Sequence, residues 1–152
     1  MTTLVEDFAR ERLLTTVGPL IVGDHAFLRD LAKAAERQAD GNWETHRAAW
    51  KKWLGIDLTS APEYAVFDGF VEARNAVMHG AGKLTRRQLA GDGGKVVSSK
   101  LQLAGIKVVG ARVSLSSETA AICATTCKRL ILWIDAKLQA LPRPFAVQGQ
   151  TA

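Results

Sequence analysis

The chain has 152 residues, of which 47% are hydrophobic and 23% charged, the balance of a globular domain with its own core and not of a disordered segment. Its longest apolar runs are too short to span a bilayer, and the opening MTTLVEDFARER sets acids and arginines where a signal peptide needs an apolar core, so a cytoplasmic protein without membrane contact is expected. The formal net charge is +5. Between Gly80 and Arg112, Lys83, Arg86, Arg87, Lys95, Lys100, Lys107 and Arg112 stand against the single Asp92, a local +6 that leaves −1 for the remainder. A basic segment of this kind suits an anionic partner, with nucleic acid the first candidate and a solvated lysine-rich insertion the alternative.

Periodicity predicts a first helix from Thr2 to about Val17, with Leu4, Val5, Phe8, Leu13, Leu14 and Val17 as its apolar positions, interrupted by Gly18-Pro19. A second helix is predicted from Asp24 to Gln38, and Gly41-Asn42 breaks the chain after it. Trp43, His46, Trp50, Trp53 and Leu54 recur at spacings of three and four, a helical stripe better suited to packing than to base stacking. Ser60-Ala61-Pro62-Glu63 matches a capping box for a helix from about Pro62 to His79, with Gly80 as a left-handed stop. Thr85-Arg86-Arg87-Gln88 resembles a second, shorter box. Gly91-Asp92-Gly93-Gly94 reads as a flexible loop, and residues 106–115 as a β-hairpin turning at Gly110-Ala111. A closing helix from near Ser117 to near Leu141 has an apolar face of Cys123, Cys127, Leu130, Ile131, Ile134, Leu138 and Leu141. The two cysteines, four apart, read as small core residues. The pattern as a whole is a mainly α up-and-down helical bundle, one domain over residues 1–141, with a basic hairpin-bearing insertion over 80–116 and a loose tail from 142 to 152.

The stretch VEARNAVMHGAGKLTRR, Val71 to Arg87, is unusual. Phe67, Phe70, Val71, Val77 and Met78 define an apolar stripe, and the spacing sets Arg74 in its middle. An arginine cannot be buried unpaired at low cost. Either it meets a carboxylate, from Asp68, Glu72 or another helix, or this face lines a cleft or a subunit seam. The seam is the expectation. Asn75 and His79, four apart, share another side of the helix, where the amide could hold the imidazole in one tautomer. His79 stands in the last turn, where the helix dipole favours its protonated form. Arg74 and His79 lie about 140° apart around an ideal helix, so convergence on one ligand requires a loosened helix end or a second subunit.

Arg74-Asn75-Ala76-Val77-Met78-His79, an arginine and a polar residue followed by a histidine near a helix end, resembles the hallmark of the HEPN superfamily of helical domains. The continuation RNAVMHGAGKLTRRQL, the hairpin GIKVVGARVSL and the closing ILWIDAKL are similar to small bacterial HEPN proteins, extending the likeness from about residue 4 to residue 141. The resemblance implies a metal-independent endoribonuclease with no cofactor. It implies a homodimer in which motifs of two subunits form one composite site, with Arg74 and His79 as the catalytic pair and Asn75 as their polar support. RNA would be held by Lys83, Arg86, Arg87, Lys95, Lys107 and Arg112. Phage defence or a toxin–antitoxin system is the implied setting, with an antitoxin or other regulatory protein as partner. The tyrosine that commonly follows the histidine in toxin-like members is missing, since the only tyrosine is Tyr64, upstream.

A phosphate-binding P-loop is excluded at Gly82-Lys83 and Gly94-Lys95, because no Ser or Thr follows either lysine and no hydrophobic strand precedes them. Three scattered histidines without an HExxH helix give no visible metal set. The alternative to the enzyme is a non-catalytic HEPN-like dimer that binds RNA or a protein, in which Arg74 is an ion-pair residue and His79 a hydrogen-bonding residue at the helix end.

Overall fold

The computed structural model describes residues 1–18 and 43–141, together with Asp30, Lys33, Ala34 and Arg37. The described elements run α1 (Thr2–Val17), α2 (Trp43–Leu54), a 3-10 turn (Leu58–Ser60), α3 (Tyr64–Gly80), α4 (Arg86–Leu89), α5 (Gly93–Leu103), β1 (Lys107–Val109), β2 (Arg112–Ser114) and α6 (Ser117–Gln139). The protein is mainly helical with one small antiparallel hairpin, in which Lys107 faces Ser114 and Val109 faces Arg112. Among the described residues no helix is long and apolar enough to cross a membrane. The helix expected over Asp24–Gln38 and the tail from Pro142 lie outside the described residues, apart from helical Asp30, Lys33, Ala34 and Arg37.

Two apolar cores share α3. In the first, Val5, Ala9 and Leu13 of α1 meet Trp50 of α2, Phe67 of α3, and Leu130 and Ile134 of α6. Trp50 is fully buried and its Nε1 donates to the Ala9 carbonyl at 3.2 Å, so the stripe of tryptophans packs as its helical spacing suggests. In the second, Phe70, Ala73 and Ala76 of α3 meet Val97 and Leu101 of α5 and Val113 of the hairpin. Cys123 packs against both and Cys127 is buried in the first. Burial, with Cys123 beside it, pushes the Cys127 thiol up to about 12.

Several local expectations are corrected. Ser60 does not cap α3. The Asp57 carboxylate accepts from the Thr59 amide at 3.0 Å and caps the 3-10 turn instead, while the Ser60 hydroxyl donates to the Asp57 carbonyl at 2.7 Å. Helix α3 therefore starts two residues late, after Glu63 and without a side-chain cap. Its stop is not Gly80, which is still helical, but Ala81 at φ 50° with Gly82 at φ 82°. The loop expected at Gly91–Gly94 is half helix, because α5 begins at Gly93. The small box at Thr85 and Gln88 forms as expected, and a second box, Ser116 with Thr119, opens α6.

Helix α5 reaches α3 through a glycine. A Cβ added at Gly69 would lie 2.2 Å from the Lys100 carbonyl oxygen and 2.8 Å from the Ala104 Cβ. The two backbones are as close as hydrogen permits, and the small side chains of Ala73 and Ala76 continue that approach. Gly69→Ala is expected to force these helices apart at a cost of about 1–3 kcal/mol. Urea unfolding of the variant measures it, and an unchanged midpoint would contradict the contact.

Candidate functional site

Each face of α3 has a different fate. Phe67 and Val71 run into the first core, and Arg74 continues that line past the core's edge. The guanidinium emerges there, its side chain 38% exposed, and the line ends at solvent with Met78. Val77 and Met78 are exposed, so the predicted apolar stripe is corrected: burial passes to Ala73 and Ala76, and Arg74 stands beside the buried face and not within it. A second line at spacings of three and four, Asp68, Glu72, Asn75 and His79, is polar throughout.

Both lines open into one cleft of about 1140 Å³, walled by α1, α2, α3, α4 and α5. It is lined by Arg74, Asn75 and His79, by Arg86 and Arg87 of α4, and by Lys100 of α5. Glu6, Asp7 and Arg10 of α1, and Trp43, Glu44, His46 and Arg47 of α2, line it as well. Arg74 and His79 of the same chain thus share a cavity despite their angular separation. Of the other predicted contacts, Lys83, Lys95, Lys107 and Arg112 are exposed and do not line it. Lys83 and Arg112 instead pair across a β-bridge that ties the segment after α3 to the hairpin. The Leu84 amide donates to the Ala111 carbonyl at 2.8 Å and the Val113 amide to the Gly82 carbonyl at 2.9 Å. The hairpin therefore fixes the end of α3 that carries His79. No hydrogen bond joins Asn75 to His79, so the expected amide support of the imidazole is not formed.

Buried polar contacts hold the cleft wall. Gln88, buried beneath α4, donates through Nε2 to the Glu72 carbonyl at 2.9 Å and to the Glu72 carboxylate at 2.7 Å. Its Oε1 accepts from the Thr85 amide at 3.0 Å. One side chain thus pins the α4 turn, with Arg86 and Arg87, against α3. Lys100 Nζ reaches Asp68 at 3.0 Å and Glu72 at 3.5 Å. Burial alone would lower the Lys100 ammonium, but the two carboxylates outweigh it and leave its pKa raised above the usual lysine value. Arg74 Nη1 meets Glu6 of α1 at 3.7 Å, an acid on another helix as one reading of the sequence allowed. At the far end Arg47 stacks 5.6 Å above the Tyr64 ring and Trp43 sets its edge on Phe67. Burial, and then the Asp68 charge, push the Tyr64 phenol up.

Sequence reasoning missed Glu6, Glu72, Gln88, Lys100 and the Trp43 end of α2 as parts of one site. The capping box at Thr85 signalled Gln88, but nothing local signals that its amide would turn to Glu72. Among the described residues no three His, Cys, Asp or Glu side chains are placed to hold a metal ion. No protein-family model matches the chain, and no curated protein and no solved structure matches it.

A lysine with a raised folded pKa contributes stability below its unfolded value and loses it as pH climbs through the folded one. Wild type and Lys100→Met are therefore expected to differ by a constant margin from pH 7 to 9, and the margin should close above about pH 10.5. Urea midpoints across that range test it, and a margin unmoved at high pH would mean that packing, not charge, holds Lys100.

Proposed function

We propose that this protein is a metal-independent endoribonuclease of HEPN type, with Arg74 and His79 as its reacting groups and RNA as substrate. The observation that carries the reading is the shared cleft: the motif Arg74, Asn75 and His79 opens into the same cavity as Arg86 and Arg87. In the proposed reaction a ribose 2′-hydroxyl attacks the adjacent phosphorus and the bond to the 5′-oxygen breaks, leaving a 2′,3′-cyclic phosphate and a 5′-hydroxyl. The exposed His79 imidazole takes or returns the proton. Arg74 stabilises the charge that accumulates on the phosphorane. Arg86 and Arg87, which make no ion pair among the described residues, hold flanking phosphates. The exposed Lys83, Lys95, Lys107 and Arg112 extend the basic track outside the cleft. A homodimer, a cytoplasmic setting in phage defence or a toxin–antitoxin system, and control by an antitoxin or other regulatory protein belong to the same proposal.

One observation favours the second reading, an RNA-binding module without catalysis: Arg74 already faces a counter-charge in Glu6. The two separate in one assay. Mixed RNAs incubated in excess chelator are expected to be cut by the wild type, with cyclic-phosphate ends. His79→Ala and Arg74→Ala should each lose at least about a hundredfold in rate. RNA retained but uncut by the wild type supports the binding module, and indifference to RNA rejects both.

A further inference from the structure

Five acids line the cleft, the exposed Asp7 and Glu44 among them, and the three less exposed ones differ in how firmly they are held. Asp68 and Glu72 are engaged at short range, by Lys100 at 3.0 Å and by Gln88 at 2.7 Å. Glu6 is not. Its one contact with Arg74, at 3.7 Å, is too long for a hydrogen bond. Such a contact neutralises charge without directing the guanidinium, whose planar fork of N–H donors stays uncommitted. The Glu6 side chain is only 15% exposed, so its carboxylate acts in a partly screened setting. Its helix is anchored on either side by Val5 and Ala9, both fully buried. The carboxylate can leave Arg74 by rotating its own side chain, with no movement of α1.

We propose that Glu6 is a displaceable counter-anion for Arg74, holding the place of an RNA phosphodiester until one arrives. The inference rests on the ribonuclease reading and adds to it an internal competitor that sets how tightly the cleft takes RNA. A phosphate that reaches Arg74 must first displace a carboxylate of the same chain. Little counter-ion is then released at that position, because Arg74 has been neutralised from within.

The test uses 2′-O-methyl RNA, whose blocked 2′-oxygen prevents cleavage, with binding followed by fluorescence anisotropy over a range of salt. Glu6→Gln keeps the shape of the side chain and removes its charge, and circular dichroism checks its fold. The variant is expected to bind about three- to tenfold more tightly than wild type. Its dependence of log K on log salt should be steeper by about 0.7, the increment for one added single-strand phosphate contact. In an Arg74→Gln background the same change should lose most of its gain. Binding that is unchanged or weaker in Glu6→Gln overturns the proposal. So does a gain that persists undiminished without Arg74, since that reports only the overall field. A wild type that cleaves RNA while Glu6→Gln shows no gain defeats this inference alone. A wild type that binds but never cleaves defeats the ribonuclease reading and leaves the Glu6 comparison intact. A protein that binds this RNA in neither form defeats both.

Discussion

The Lys100 carbonyl lies against the bare Cα of Gly69, and the cleft depends on that approach. Were α5 displaced from α3 by the width of a methyl group, the Lys100 ammonium would draw back from Asp68 and Glu72. Glu72 in turn is the anchor for Gln88, and Gln88 is what keeps the short α4 turn on the side of α3. A four-residue helix has no stability of its own. Its place is set by the capping box beneath it and by this one buried amide. Arg86 and Arg87 therefore face the cleft because two helices touch at Gly69, within one turn of the Glu72 that anchors Gln88.

The same logic explains the charges. A cavity crowded with Arg10, Arg47, Arg74, Arg86, Arg87 and Lys100 would repel itself if no acid were near. The carboxylates of the cleft are engaged to different degrees. Asp68 and Glu72 sit at the α3–α5 seam, where they are spent on structure. Glu6 reaches in from α1 and meets Arg74 loosely. Arg86 and Arg87 at the mouth make no ion pair among the described residues. Asp7 and Glu44, both exposed, add two further acids to the lining, so cations and carboxylates alternate around the cavity.

Much of the helical framework was legible in residue spacing. Val5, Leu13 and Val17 of α1, Trp43, Trp50 and Leu54 of α2, and Cys127, Leu130 and Ile134 of α6 bury where periodicity sets them, whereas Leu4, expected among the apolar positions of α1, is exposed. The hairpin turn at Gly110 and the Thr85 box follow from local chemistry alone. Helix α5 was hidden because Gly93-Gly94 and the β-branched Val96-Val97 argue against a helix, and the contact with Gly69 overrides that preference. The apolar Val77 and Met78 set Arg74 at the centre of a stripe that the sequence alone would bury. Sequence cannot show that the core ends at Val71 and hands burial to Ala73 and Ala76. Glu6 and Glu72 were invisible as site residues for a related reason. They stand far along the chain from the groups they face, and only the packing of helices brings them there.

Arg74, His79, Arg86 and Arg87 line one cleft, and we propose that this cleft takes RNA. The most direct measurement is an NMR titration of the protein with 2′-O-methyl RNA, following the His79 imidazole, the arginine side chains and the Trp43 indole. The largest shifts are expected at His79, Arg74, Arg86 and Arg87, with the Trp43 indole responding within the same cavity. Shifts confined to Lys107 and Arg112 on the hairpin, with the cleft silent, would contradict it.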